Sequence, residues 1–334
     1  MSSVTKRLTI LLISLCLLPV SEVFAHVKWF TEAEPKRAAI ETIITPHFIT
    51  LAFLTAIIVA VLPRIVPVML TVPLFKHTED FLGNFRSYTY YLIKYGAALA
   101  VFIQVITGGL FAPELLAPSD VWAVLPWAAV VLLVIPSLWT TRLAAGILLV
   151  LFSLTAWEYG LFHMLDYAFY LAVIFILFFH KTAWQKWGFP LLYLATGLSL
   201  CWVAAEKWVY PAMATDVILN HGVPTFGFSP ETFVVLTAFI EFVVGYLLVV
   251  GLLNRLLALV LTLIFISTTF LFGLTEIIGH FMIHIILVTF IIEGVSFYRP
   301  PVDMHNTSLE KIIFVFLNFL FVLATILLIY YRFA

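Results

Sequence analysis

The chain has 334 residues, of which 63% are hydrophobic and only 10% charged. That apolar share exceeds what a soluble domain carries, so lipid is the solvent for most of the protein. A formal net charge of −1 gives no electrostatic case for nucleic acid, and two cysteines, Cys16 and Cys201, allow no disulfide framework and no thiolate metal cage.

Taken in order, residues 1–25 read as a secretory signal. Lys6 and Arg7 precede the apolar run from Leu8 to Val20, and Val23-Phe24-Ala25 supplies a peptidase site. Cleavage after Ala25 would make His26 the new N-terminus. A free amine and an imidazole on one residue form a chelate that copper(II) favours. The plainer reading is that His26 is simply the residue that comes first.

After a polar stretch, apolar runs follow at 46–63, 88–110, 121–139, 143–160, 166–180, 189–209, 231–252, 256–274, 276–294 and 311–331. Each approaches the length a bilayer requires, and open sheet edges do not survive in lipid. The expected fold class is therefore an all-α polytopic membrane protein of about ten transmembrane helices. Placing the mature N-terminus in the periplasm puts Arg64, Lys76, Arg86, Arg142, Lys181, Lys186, Arg255, Arg299 and Lys311 in cytoplasmic loops. The positive-inside rule and the leader agree, which points to a bacterial inner (cytoplasmic) membrane.

The sequence also repeats. RLAAGILLVLFSLTAWEYGLF, from Arg142 to Phe162, lies without a gap over RLLALVLTLIFISTTFLFGLT, from Arg255 to Thr275. Arginine and glycine fall at fixed places, and the register continues so that His163 stands beside Glu276 and Tyr167 beside His280. Each copy would hold four helices, and an even number sets both the same way up. The expected division is a signal peptide at 1–25, an N-terminal segment with the first helix and a linker at 26–87, repeat 1 at 88–188, repeat 2 at 189–298, and a linker with a last helix at 299–334.

Chemistry concentrates in repeat 2. The stretch GLTEIIGHFMIHIILVTFIIEG carries Glu276, His280 and His284 four residues apart, on one slowly drifting helical face. A charged group in hydrocarbon costs roughly 2.5–3.5 kcal/mol on insertion scales, so such a stripe calls for partners or a wet cavity. With Glu206 and Glu241 it forms the candidate catalytic set, expected to meet within repeat 2. Glu206, Trp208, Tyr210, Glu241 and His280 are the candidates for holding a cofactor. His26, His280, His284 and, last, His163 are the candidates for a metal, since two histidines four apart on a helix can share one ion. Interhelical hydrogen bonding alone is the competing use of these groups.

The segments EKWVYP (206–211) and EFVVGYLLVVGLLNRLLALVLTLIF (241–265) resemble the DoxX/DoxD-like membrane proteins. The matching E-x3-G-x-L-L-x2-G-x3-R core uses Glu241, Gly245, Leu247, Leu248, Gly251 and Arg255. The likeness is clear over about 189–294, with a degenerate copy at about 88–180. It implies four-helix bundles and a place in membrane redox chemistry, with Glu206, Glu241 and Arg255 as matching positions. The leading expectation is thus a subunit of a quinone-linked redox system, a membrane oxidoreductase subunit with a periplasmic or membrane redox partner protein and the lipid bilayer around it. The alternatives are a membrane protein that binds or transports copper or another divalent metal through His26 and the His280/His284 pair, and a scaffold subunit without chemistry.

Overall fold

The computed structural model describes residues 29–69, 72–117, 120–294 and 307–333. The leader and His26 lie outside the described residues. The main elements are α1 (Pro46–Met69), α2 (Pro73–Gly83), α3 (Thr89–Ile106), β1 (Gly109–Leu110), β2 (Ala112–Leu116), α4 (Val124–Val134), α5 (Leu138–Tyr159), α6 (Phe169–Phe179), α7 (Gly188–Val209), α8 (Pro211–Asn220), α9 (Pro230–Val250), α10 (Asn254–Phe272), α11 (Leu274–Glu293) and α12 (Ser308–Phe333). The chain is an all-α polytopic membrane protein apart from the small β1–β2 hairpin.

All ten expected apolar runs are helical. Among the described residues, eight helices are long and apolar enough to cross a membrane, and nine if the bent pair Leu161–Tyr167 and Phe169–Phe179, at 69°, is one span. The exception is α4, 11 residues long, about 16 Å against a hydrocarbon core of about 30 Å. It stops because Ile135 precedes Pro136 and is driven to extended backbone, at φ −66° and ψ 127°. The carbonyl freed there accepts a hydrogen bond from Lys94 Nζ at 2.8 Å, which gives a buried lysine its partner.

Within the first copy, α3, α4, α5 and α6 pack around one another in sequence. In the second copy the closest pairs are α7 with α9 and α10 with α11. The copies are joined by α6 against α7 and α3 against α11, while α12 crosses back to pack on α1. Tight pairing of α7 with α9 rests on Gly197 and Gly245: a Cβ on either would run into the other's carbonyl oxygen.

The two copies share a bonding pattern at matching positions. Arg142, at the start of α5, donates from Nε to Phe178 O at 3.1 Å, and Arg255, at the start of α10, donates from Nε to Ile291 O at 2.7 Å. The separation is 36 residues both times. At the other end of these helices, Gly160 (φ 90°) and Gly273 (φ 69°) break the chain in a conformation that suits glycine. Recurrence of both devices in register is what a duplicated unit of one orientation would leave.

A buried polar line at the junction of the two copies

The site grows from the hairpin after α3. Gln104 accepts from Phe111 N at 2.9 Å and donates to Tyr170 Oη at 2.9 Å, which pins the turn into the bundle. Leu116 N donates to Tyr159 Oη at 3.1 Å. The hairpin thereby carries Glu114, on β2, towards the break after α5. There Glu114 accepts hydrogen bonds from the Tyr167 hydroxyl and from Trp29 Nε1, and lies 3.5 Å from His163 Nε2.

Trp29 bridges the copies. Its ring lies 4.9 Å from the His280 ring, centroid to centroid, over Gly279, where a Cβ would run into the indole. Phe265 packs on His280 at 4.5 Å. His280 Nδ1 is 3.1 Å from Glu276 Oε1, which also accepts from Thr268 Oγ1 at 2.5 Å. Glu276 and His280 are buried and His284 is half-buried beside Phe265, so the stripe turns inward. The segment bearing Trp29 is laid down by Phe30, stacked on Phe272 at 4.3 Å, and by Phe30 O against His221 Nε2 at 2.9 Å. Beyond it, Asp216 of α8 accepts from Thr31 Oγ1 and Glu32 N, which hold its carboxyl below the ordinary range.

Behind Tyr167 the line of acids continues. Asp166 and Glu206 are both fully buried and both within electrostatic range of Tyr330 on α12. Tyr330 also faces Trp202 and Tyr210. Trp208 packs instead on Phe48, Phe239 and Phe242.

The candidate residues therefore divide differently from the expectation. Glu276 and His280 come together, with His284 one turn on. Glu241 does not join them: it pairs with Lys207 Nζ at 2.6 Å between α7 and α9. Glu206 belongs to the Asp166–Tyr330 group. Nor is the cluster built from repeat 2 alone, because Glu114, His163 and Tyr167 come from the first copy. Sequence reasoning had His163 and Tyr167 in register with Glu276 and His280, but not the fact that these matching positions meet. Trp29 and Glu114 were not among the candidates, because neither shares a helical face or a repeat register with the Glu276–His280 stripe. Among the described residues, no three His, Cys, Asp or Glu side chains are grouped to hold a metal ion.

The sequence motif reads as scaffolding. Glu241 neutralises Lys207, Gly245 admits Gly197, Gly251 ends α9 in the left-handed region at φ 73°, and Arg255 caps the end of α11. Comparison with known proteins matched residues 190–274 to the family model DoxX. No curated protein and no solved structure gave a match. Residues 190–274, within the second half of the chain, are thus similar to the DoxX family.

Proposed function

We propose that the chain is a membrane subunit of a quinone-linked redox system in a bacterial inner membrane, with its polar site near the periplasmic face. The observation that supports this reading is the Trp29 ring packed at a tilt on His280. The indole of Trp29 is held against an imidazole, over a glycine that leaves it room, with a carboxylate 3.1 Å from the same imidazole, which shows that this pocket accepts an aromatic ring. An aromatic head group asks for that combination: a face to stack on and a titratable pair beside it. When bound, a quinone supplies the electron chemistry. The chain's own part is to hold the ring, exclude water through Phe265 and Phe272, and keep a proton at the His280–Glu276 pair. Glu114, His163 and Tyr167 extend the hydrogen-bonding groups away from that pair.

The test is a gentle purification of the full chain, with chromatography of its lipid extract and elemental analysis of the same sample. A stoichiometric quinone that is lost from a His280→Gln, Glu276→Gln protein of unchanged fold supports the proposal. Glutamine still hydrogen-bonds but does not titrate. A stoichiometric metal without quinone would favour the copper reading instead. Neither ligand, with a tightly held partner protein, would leave a scaffold.

A further inference from the structure

Independently of the redox reading, the two arginine ends differ in a way that points to a ligand. In the second copy, Arg255 Nη1 is 2.6 Å from Glu79 Oε2 of α2, which also neutralises Arg86. Helix α2 packs on α11 and covers that end. In the first copy the equivalent Arg142 also caps two carbonyls, Phe178 O and His180 O, the latter at 3.2 Å, but has no carboxylate among the described residues. The Trp139 ring also lies 5.6 Å away and is largely exposed.

Two further differences add to this. The second copy ends α11 with Gly294, at φ 76°, and the equivalent residue after α6 is Lys181, at φ 58°. A lysine thus takes a backbone conformation that suits glycine, and places a second cation without a carboxylate partner, among the described residues, next to the His180 carbonyl that Arg142 caps. Beside Arg142 opens an apolar groove of about 610 Å³, lined by Trp139, Leu143, Gly146, Ile147, Val150 and Phe178 among others. Gly146 leaves open space there, whereas the matching position in the second copy is Leu259. The volume falls within the roughly 300–1,000 Å³ of ligand sites.

We infer that this groove is a binding site for an anionic phospholipid, whose phosphate takes at Arg142 and Lys181 the place that Glu79 takes at Arg255, and whose acyl chain lies along Gly146. The charge argues for the head group: arginine is a bidentate phosphate donor, and basic pockets between transmembrane helices suit anionic lipids. The groove argues for the tail, since its wall is apolar and opens on the lipid-facing side of α5, where Leu143 is exposed.

Titration of the full-length protein with phosphatidylglycerol or phosphatidylcholine, read by native mass spectrometry, tests this. One phosphatidylglycerol should be retained in preference to phosphatidylcholine. Lys181→Gly suits the local backbone and should weaken phosphatidylglycerol binding about fivefold, the effect of one basic residue beside an anionic lipid. Gly146→Leu copies the second repeat and should reduce retention of both lipids at this site while Arg142 stays in place. Equal retention of the two lipids by the wild type would overturn the inference. So would phosphatidylglycerol binding unchanged in both variants, or an isoprenoid quinone or a partner helix found in the groove instead.

Discussion

Gly279→Ala examines the Trp29 bridge directly. The added Cβ would fall among Cζ3, Cη2 and Cε3 of the indole, so the ring must move or the helix must shift. Overpacking of this kind costs about 1–3 kcal/mol. A displaced ring also gives up its tilted ring contact with His280, about 0.5–1.5 kcal/mol, and its hydrogen bond to the Glu114 carboxylate, about 1.5–3 kcal/mol. The control is the same substitution in a Trp29→Ala background. With no indole to strike, alanine is simply a better helix residue than glycine, by about 0.8–1.0 kcal/mol. The effect of Gly279→Ala should therefore change sign between the two backgrounds, lowering the apparent unfolding midpoint in detergent when Trp29 is present and raising it when Trp29 is absent. Hydrogen exchange of residues 29–38 should rise in Gly279→Ala as it does in Trp29→Ala. If Gly279→Ala lowers the midpoint equally in both backgrounds, or raises it in the wild type, the bridge is not where the structure puts it.

Three further outcomes are expected. Glu241→Gln leaves Lys207 half-buried without its carboxylate, so it should destabilise by about 1–3 kcal/mol, and the exchanged pair Lys207→Glu, Glu241→Lys should recover part of that in a double-mutant cycle. Arg255→Ala should lower the apparent midpoint more than Arg142→Ala, because it removes the carbonyl cap and also an ion pair with Glu79 that Arg142 lacks. The third concerns acid. Asp216 is held below its ordinary range in the folded state, so its grip on Thr31 and Glu32 is present above the unfolded value near pH 4 and is lost as pH falls through the lower folded value. Limited proteolysis at residues 31–36 should increase over that window in the wild type. Asp216→Asn should already be cleaved faster at neutral pH and should show no further acid step.

The membrane fold was legible because its signal is local. A bilayer demands long apolar runs whatever the rest of the chain does, and every run foreseen in the sequence holds a helix. The one span that fell short, at 121–139, is cut by Pro136, and the sequence already contained that proline. What hid the consequence was composition: an apolar run of adequate length scores as a span even where backbone geometry ends the helix. The same holds for the DoxX pattern. Glycine and arginine at fixed spacing are easy to see, but spacing does not tell whether Arg255 meets a substrate or two carbonyls 36 and 37 residues on.

The site was legible only in part, because its members belong to different copies and to a segment outside both. Four-residue spacing correctly put Glu276 and His280 on one face, since that follows from helix geometry alone. It gave no basis for grouping them with Glu241, which shares their repeat but packs against α7. The matching register of the two stretches supplies the missing reasoning. When two copies of one orientation sit side by side, matching positions at their facing ends approach each other, as His163 and Tyr167 do with Glu276 and His280 through Glu114 and Trp29. At the matching positions one stretch holds an acid–imidazole pair, Glu276 and His280, and the other an imidazole and a phenol, His163 and Tyr167. The arginine ends diverged as well: Glu79 neutralises one, while the other keeps two cations and an open groove. A polar line assembled from both copies would then stop at the boundary of neither. Removing Glu114 should therefore disturb both halves: Glu114→Ala should raise hydrogen exchange in residues 29–38 and also in residues 161–167, whereas a site confined to repeat 2 predicts no change in the second stretch.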